Sequence, residues 1–369
     1  MKQYVKRILR KLRIKFREKV NTFKFAFQDQ DFPRLIQAGD FPVKALINLV
    51  DVGFRGDLCS EWVAFAKAIN CIGFELDEKE AKLLNELIQY AGRQGVVYPY
   101  AVGGKNSDSE TLYITQFPYS SGLRMTNKIF LDRMHSIMSE NCKVMQTKTV
   151  NTVCLNKALP PEIATRINFI KTDAEGFDNE ILDGAQILLK SPQLFGVKSE
   201  VCFGPGKKPE MFAEIDVLLR ANGFHLFDLM VCRSPRKTFD RGYITFDQDG
   251  KPAGLDSRLY GQVIFGDALY LKDPVWEYKN GGGAFVWNDE NVLIMSCIFY
   301  AYNLFDCAVE LLETYKTINQ KTALPLDVMT GKMCPKLPDG NLISYNDYIQ
   351  TSKQLNWEEI ESYKQHWIK

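Results

Sequence analysis

The first residues that could do chemistry lie in the stretch LINLVDVGFRGD, which begins at Leu46. Its apolar start predicts a buried parallel strand, and Asp51, Gly53 and Gly56 follow where the chain must turn. A second apolar run, CIGFE, ends at Glu75, about 20 residues past the turn, where a carboxylate can accept hydrogen bonds from both hydroxyls of a ribose. The stretch therefore predicts half of a nucleotide-binding site.

The charge of the turn indicates which nucleotide binds. Carboxylates flank the glycines, and the pattern G-x-G-x-x-G is missing. Such a turn would repel a pyrophosphate but suits a cationic ligand such as the sulfonium and ammonium of S-adenosylmethionine. Another nucleotide, or a turn without a ligand, remains an alternative. The predicted cofactor-binding residues are Asp51, Gly53, Arg55, Gly56, Asp57, Glu75 and Asp173.

A second group of ionisable residues lies in FIKTDAEGFDNEILDGA. Lys171, Asp173 and Glu175 follow an apolar strand, and open α/β sheets bind ligands at the carboxyl ends of their strands. None of the chain's three histidines falls in a motif, so we predict Asp173 or Glu175 as a general base. Lys171 would orient one of them or hold the acceptor. Simple surface solvation, with Asp173 as a helix cap, is the alternative.

Three further polar residues are candidates for contact with a substrate. Ser120 and Ser121 lie in the loop PYSSG, where turn formation is the competing role, and Glu200 ends the next strand. No metal-ligand spacing is present, so we predict no metal. Nine scattered cysteines form no C-x-x-C pair, which is typical of reduced, cytoplasmic thiols.

These residues need a scaffold of alternating strands and helices. The alternation predicts an α/β fold with a mostly parallel, doubly wound sheet over residues 25–280. A polar excursion from Cys232 to Arg258 resembles a lid or substrate loop. GGG at 281–283 marks a boundary to a helical extension, 284–369, whose apolar stretch is too interrupted to span a bilayer. That extension packs, oligomerises or binds the acceptor.

Residues 1–24 carry most of the chain's charge asymmetry. They hold ten Lys or Arg and one acid, Glu18, whereas the whole chain has a net charge of +1. Apolar residues recur at helical spacing, which predicts a basic amphipathic helix. It would attach a cytoplasmic protein to the anionic inner face of a membrane, or dock on the protein body. We expect no nucleic-acid partner, because no basic surface rich in aromatic residues follows.

Together, DVGFRGD, GFELDEKE, TLYIT followed by SS, and FIKTDAEGFDNEILDGA resemble the FkbM family of S-adenosylmethionine-dependent methyltransferases. The resemblance covers roughly residues 46–272, and K-x-D-x-E-G is its most specific part. It implies a Rossmann-like class I methyltransferase sheet of seven strands, cofactor contacts around Asp51, Gly53 and Glu75, and methylation of a hydroxyl, commonly on a sugar or polyketide. The chain departs from the family at Asn156, where Asp is usual, and at Asp57, where Gly is common.

Two other classes of protein remain open. A nicotinamide-dependent oxidoreductase would share the fold, but its pyrophosphate would meet the wrong charges. A catalytically silent scaffold would explain Asn156 and Asp57, although the intact K-x-D-x-E-G favours an enzyme. The residues do not identify the acceptor, beyond a hydroxyl-bearing molecule such as a sugar or glycan.

Overall fold

The computed structural model describes residues 31–37, 46–239, 243–256, 261–335, 341 and 343–355 of the 369-residue chain. The predicted amphipathic helix, residues 1–24, lies outside these. The chain divides into two compact units. The sheet unit comprises Leu46–Asp57 and Ile69–Val286, and the helical unit includes Leu58–Ala68 and the chain from Trp287 onward.

The sheet unit is built around seven strands in the order β3-β2-β1-β7-β8-β12-β9. Six run parallel, and β12 is antiparallel to both of its neighbours. This confirms the predicted Rossmann-like, mostly parallel and doubly wound sheet of seven strands. The described strands are β1 (Ile47–Val52), β2 (Ile69–Phe74), β3 (Gln94–Tyr98), β4 (Ala101–Val102), β5 (Ser107–Thr115), β6 (Val144–Val153), β7 (Phe169–Thr172), β8 (Gly196–Cys202), β9 (His225–Ser234), β10 (Tyr243–Phe246), β11 (Pro252–Asp256) and β12 (Gln262–Leu271).

Strand β1 lies at the centre because it is apolar on both sides. Ile47, Leu49, Val50 and Val52 are each at most 4% exposed. Burial of such a side chain contributes about 1.5–3 kcal/mol, so the strand is held on both faces. The sheet order reverses between β1 and β7, and a crevice for ligands opens at the carboxyl ends of strands at such a point.

The helix Glu78–Tyr90 shows how the sequence sets the helix bounds. Asp77 caps it by accepting hydrogen bonds from the backbone N–H groups of Lys79 and Glu80, and Gly92 follows its end with a φ of +61°. The other described α-helices of this unit are Lys128–Leu131, Ser136–Asn141, Leu155–Ala158, Pro161–Ala164, Asp178–Asp183, Gln186–Leu189, Met211–Ala221 and Pro274–Lys279.

Some predicted elements differ in the structure. The run 96–102 reads as one strand but splits at Pro99, which has no N–H to donate: β3 ends before it, and β4 joins a small sheet with the order β4-β6-β5. The stretch from Asn127 to Ser139 is helix-like in sequence, but the structure has two short helices there, Lys128–Leu131 and Ser136–Asn141. The excursion Cys232–Arg258 contains the β10–β11 hairpin rather than only irregular chain.

The helical unit collects aromatic residues from distant parts of the sequence. Trp62 packs edge-on against Tyr302 with ring centroids 5.7 Å apart, and Phe65 packs against Tyr300 at 5.8 Å. Residues 58–68 thus belong to this unit, although they fall inside the predicted 25–280 domain. Its described helices are Asp31–Gln37, Asp289–Ala301, Phe305–Ile318, Leu326–Met333 and Tyr345–Gln354, with the 3₁₀ helix Ser60–Ala68.

The helix Asp289–Ala301 is apolar nearly all round and is buried along most of its length. No helix among the described residues combines the length and the apolar character needed to cross a membrane.

Candidate functional site

The two motifs meet at the glycine turn that follows β1. Gly53 has a φ of +81° and Gly56 a φ of +87°. A Cβ atom at Gly53 would lie 2.2 Å from the carbonyl oxygen of Asp173, so a side chain there would clash with backbone. Gly53 therefore allows the turn after β1 to approach the end of β7.

The backbone amides of this turn are already engaged. The N–H groups of Gly53 and Phe54 both donate to the carbonyl of Phe74, at 3.1 and 3.0 Å. In a dinucleotide site, free amides at a glycine turn and helix N-terminus would hold a pyrophosphate. These two donors cannot do so, which agrees with the prediction of a ligand that lacks a pyrophosphate.

Glu75 is 3% exposed and directly follows β2, where the sequence predicts a carboxylate that binds a ribose. Its Oε1 accepts from the N–H of Asp77 at 2.9 Å, and its Oε2 accepts from Nε of Arg55 at 2.8 Å. A carboxylate has about four acceptor positions, so two remain for a ribose diol. Arg55 also donates to the carbonyl of Pro118 and lies over the ring of Tyr119, 5.5 Å from its centroid. Arg55 thus connects Glu75 to the loop of Ser120 and Ser121.

Asp51 and Asp57 both have basic partners. Lys171 bonds to Asp51 at 3.1 Å and lies 3.4 Å from Asp173, and Arg93 bonds to Asp57 at 2.6 Å. Burial raises the pKa of Asp51, although Lys171 opposes that shift. The turn is consequently less anionic than the sequence indicates. Three further carboxylates lie at the carboxyl ends of β7 and β8.

These carboxylates are Asp173, Glu175 and Glu200, which we call the acid cluster. One oxygen from each lies within 4.8 Å of the others. Glu175 has a φ of +56°, a left-handed conformation that costs energy in a residue with a side chain, and Gly176 follows at +90°. Asp178 holds this turn by accepting hydrogen bonds from the N–H groups of Ala174 and Gly176. The fold therefore maintains a strained backbone in order to present Glu175.

Lys207 supplies the nearest positive charge and was missed by the sequence analysis. Its ammonium donates to Oε2 of Glu175. Burial lowers the pKa of Lys207, but Glu175 and Glu200 outweigh burial and the pKa is raised, so the ammonium stays charged. The signal in the sequence was GPGKKP, a basic pair in a glycine loop directly after a strand.

The carboxyl groups differ in protonation. Burial, reinforced by Glu175, raises the pKa of Glu200 well above its usual value, and its Oε2 is closed off from solvent without a hydrogen-bond partner among the described residues. Burial also raises the pKa of Glu175, and raises that of Asp178 to about 7 with help from Asp173. Glu200 therefore favours its protonated form more strongly than an exposed carboxyl group does.

Three carboxylates at this spacing could hold a divalent cation. The sequence predicts no metal because Glu200 is distant from the other two acids in the chain, whereas β8 brings it to them across the sheet. Lys207 already provides a cation beside Glu175.

Ser120 and Ser121 serve the turn in which they lie. Oγ of Ser121 accepts from the N–H of Thr115 at 3.0 Å, and the N–H of Ser120 donates to the carbonyl of Phe117 at 2.8 Å. Arg124 then joins this loop to the second motif by donating to the carbonyl of Gly176 at 2.8 Å. The two serines shape the rim of the site, and these contacts serve the turn rather than a substrate.

The family model described as "Methyltransferase FkbM domain" matches residues 56–226. Residues 56–226 form an FkbM methyltransferase domain. The segment includes Glu75 and all three members of the acid cluster, and it confirms the predicted family and S-adenosylmethionine as the cofactor. Asp51 and Gly53 lie just before it. No curated protein gives a significant match to the sequence.

The solved structures that resemble this chain are distant from it in sequence. A precorrin 8w decarboxylase from Methanobacterium thermoautotrophicum has 11% identity and a TM-score of 0.30, covering 62% of this chain and 82% of that one. Magnesium protoporphyrin IX methyltransferase from Synechocystis PCC 6803 has 9% identity and a TM-score of 0.27, with 67% and 82% covered. A putative tRNA (m1A22) methyltransferase from Streptococcus pneumoniae has 11% identity and a TM-score of 0.28, with 81% and 94% covered.

Proposed function

We propose that this methyltransferase transfers the methyl group to a hydroxyl oxygen of a sugar or surface glycan. One observation carries the proposal: Glu175 is held at the mouth of the site with its Oε2 on Lys207, while no described residue bonds to its Oε1. A carboxylate so placed suits removal of a proton from a hydroxyl.

When bound, S-adenosylmethionine supplies a methyl group on a positively charged sulfur. Glu175 takes the acceptor's proton at Oε1 as the acceptor oxygen forms its bond to the methyl carbon and the bond from carbon to sulfur breaks. Lys207 keeps Oε2 fixed, so the carboxylate does not rotate away. The ammonium of Lys207 balances Glu175, while burial favours the neutral form of Glu200 beside them.

Asp173 remains the second candidate for the base. Its side chain is 46% exposed and lies 3.4 Å from Nζ of Lys171. Burial raises the pKa of Glu175, which makes Glu175 the better proton acceptor of the two candidates. Asp173 is better placed to orient Lys171 or to contact the cofactor.

Exposed aromatic rings at the rim support a sugar as the acceptor. Phe117 and Tyr119 are 40% and 48% exposed, and their ring centroids lie 5.2 Å apart. Aromatic faces of this kind can cover the apolar C–H face of a sugar ring while its hydroxyls stay accessible. The cytoplasm, with attachment of residues 1–24 to an anionic membrane face, is the location that we propose.

Cofactor binding tests the first half of this function. Glu75→Ala should weaken binding of S-adenosylmethionine by about 1.5–3 kcal/mol in calorimetry, because hydrogen bonds to a charged group are lost. Glu78→Ala, at an exposed acid nearby, is the matched control and should bind normally. Tight binding of NAD by the native protein would favour the oxidoreductase instead.

Methyl transfer tests the second half. The protein should move radiolabelled methyl from S-adenosylmethionine to sugars or extracted glycans, and the product should carry an O-methyl ether by mass spectrometry. Transfer should persist in EDTA, because Lys207 supplies the positive charge beside Glu175. Transfer to nitrogen or carbon would contradict the proposal, and cofactor binding without transfer to any acceptor would favour the silent scaffold.

A further inference from the structure

Two arginines lie on neighbouring segments of the chain, away from the acid cluster. Met134 and Arg236 form an antiparallel bridge, and the N–H of Lys237 donates to the carbonyl of Arg133 at 3.0 Å. This pairing places Arg133 and Arg236 on adjacent segments of the backbone, at the end of β9. The segment around them, from Cys232 onward, is the excursion whose role the FkbM fold leaves unexplained.

Arg236 has an unused donor. Its Nη2 donates to Oε1 of Gln262, but its Nη1 is closed off from solvent and has no hydrogen-bond partner among the described residues. Burial and the charge of Arg133 both lower the pKa of Arg236, which shows that a like charge acts on it rather than a carboxylate. A buried, charged donor without an acceptor is unfavourable until a ligand provides one.

The nearest acid in sequence is not available to the pair. Asp132 is bonded to Lys128 at 2.9 Å. Arg233 and Lys237 add two more positive charges in the same segment. Within the part of the chain that the structure describes, neither Arg133 nor Arg236 forms an ion pair.

A single loop separates this pair from the acid cluster. Gln262, which holds Arg236, has its Nε2 3.9 Å from the position that a Cβ of Gly204 would occupy. Gly206, two residues on, accepts a hydrogen bond from the N–H of Asn127, at the start of the helix that leads to Arg133. Lys207 then bonds to Glu175. A molecule reaching across this loop could place a hydroxyl at Glu175 and another group at the arginines.

We propose that Arg133 and Arg236 bind an anionic group of the acceptor, either a carboxylate or a phosphate. Planar guanidinium groups recognise both anions through paired hydrogen bonds. The assignment of the anion to the acceptor rests on the proposed function. The binding of an anion by the arginines does not depend on it. Gln262 fixes Arg236 in one orientation, which fits one small anionic group better than the long backbone of a nucleic acid.

Calorimetry with glucuronate, glucose 6-phosphate and glucose tests the site directly. The native protein should bind one or both anionic sugars at least ten times more tightly than glucose, and the better of the two identifies the anion. Arg236→Gln should weaken that binding at least tenfold. Arg133→Gln, at an exposed position, should weaken it likewise without threatening the fold. Arg220→Gln is the matched control, because Arg220 is paired with Asp216 and should not affect binding.

The proposal is overturned if glucose binds as well as the anionic sugars, or if both arginine variants bind them as the native protein does. Binding of poly(U) that exceeds sugar binding and depends on these arginines would also overturn it in favour of nucleic acid. Anion binding that needs the arginines, without methyl transfer to any sugar or glycan, would refute the proposed function and leave the anion site standing. Methyl transfer to neutral sugars alone, at a rate that the arginine variants leave unchanged, would refute the anion site and leave the proposed function standing.

Discussion

Glu175 and Glu200 stand at the ends of neighbouring strands but meet different surroundings. Glu175 is bonded to an ammonium, whereas Oε2 of Glu200 has neither solvent nor a partner among the described residues. Desolvation disfavours the charged form of both, and only Glu175 has a compensating hydrogen bond. The pair therefore combines one carboxylate that a hydrogen bond stabilises with one carboxyl group whose charged form is disfavoured.

Replacing the base by its amide should slow the chemical step. General-base assistance contributes about 100-fold to 10,000-fold, so Glu175→Gln should reduce the single-turnover rate of methyl transfer by that order while cofactor affinity largely persists. Asp173→Asn should reduce the rate less, and Glu162→Gln, at an exposed surface position, should be neutral. If Asp173→Asn proved the more damaging change, the roles of the two acids would have to be exchanged.

The raised pKa of Glu200 gives a pH-dependent stability. A carboxyl group that keeps its proton on folding contributes stability below its usual pKa of 4.5, and this contribution is lost as pH rises toward the raised folded value. Glu200→Gln mimics the protonated group at every pH. The variant should match the native protein at pH 4 and have the higher free energy of unfolding at pH 8, because only the native protein loses this contribution as pH rises.

Urea denaturation at the two pH values measures this difference. Glu162→Gln again serves as the control, because an exposed carboxyl should add no pH-dependent difference. A Glu200→Gln protein that is less stable than the native at pH 8 would mean that Glu200 is ionised in the folded state and needed there.

For individual residues, the sequence predicted where a side chain lies in the fold better than which other residues it contacts. K-x-D-x-E-G located Asp173 and Glu175 because strand-end carboxylates are readable from local pattern. The pairing of Asp51 with Lys171 joins residues 120 positions apart, and that of Asp57 with Arg93 spans 36, so neither could be read locally. Lys207 was missed for the same reason, since only the sheet order brings the loop after β8 beside the end of β7.

Among the elements, the turn after β1 has the least room for change. Gly53→Ala would place a Cβ 2.2 Å from the carbonyl oxygen of Asp173, at a φ of +81°. The left-handed conformation alone costs about 1–2 kcal/mol, and the clash adds to it. We expect a loss of more than about 2 kcal/mol in the free energy of unfolding, together with weaker cofactor binding, both measurable on the same preparation.

Gly282→Ala is the matched control for this change. No atom lies within 4 Å of a Cβ built there, so the free energy of unfolding should stay within about 0.5 kcal/mol of the native value. Equal stability of the two variants would show that the turn can relax away from Asp173 and that the close approach is not required.

The strands and the long helices were predictable because their apolar periodicity agrees with their final burial. The helix Glu78–Tyr90 follows its cap and its buried stripe. The insert between β4 and β6 was less predictable. Its helices have four and six residues, too short to show a period, and their place is set by contacts such as Asn127 to Gly206. Pro99 was the one readable signal that the run 96–102 would divide.

At the scale of the whole chain, residues 1–24 remain a prediction. Ten basic residues and one acid should bind anionic vesicles by about 1 kcal/mol per residue near the surface. Deleting residues 2–24 should abolish sedimentation with vesicles that contain phosphatidylserine, while neutral vesicles bind neither protein. The truncated protein should keep its thermal transition and its cofactor affinity. Loss of that transition would show instead that the segment stabilises the body.

The membership of residues 58–68 in the helical unit has a consequence for synthesis on the ribosome. These residues connect β1 to β2, yet Trp62 and Phe65 pack against Tyr302 and Tyr300, more than two hundred residues later. A ribosome adds about 5–20 residues each second, so this connection waits on the order of ten seconds or more for its partners. Until then its apolar face is open to chaperones, and a polypeptide released early would carry a nucleotide half-site whose first crossover cannot pack.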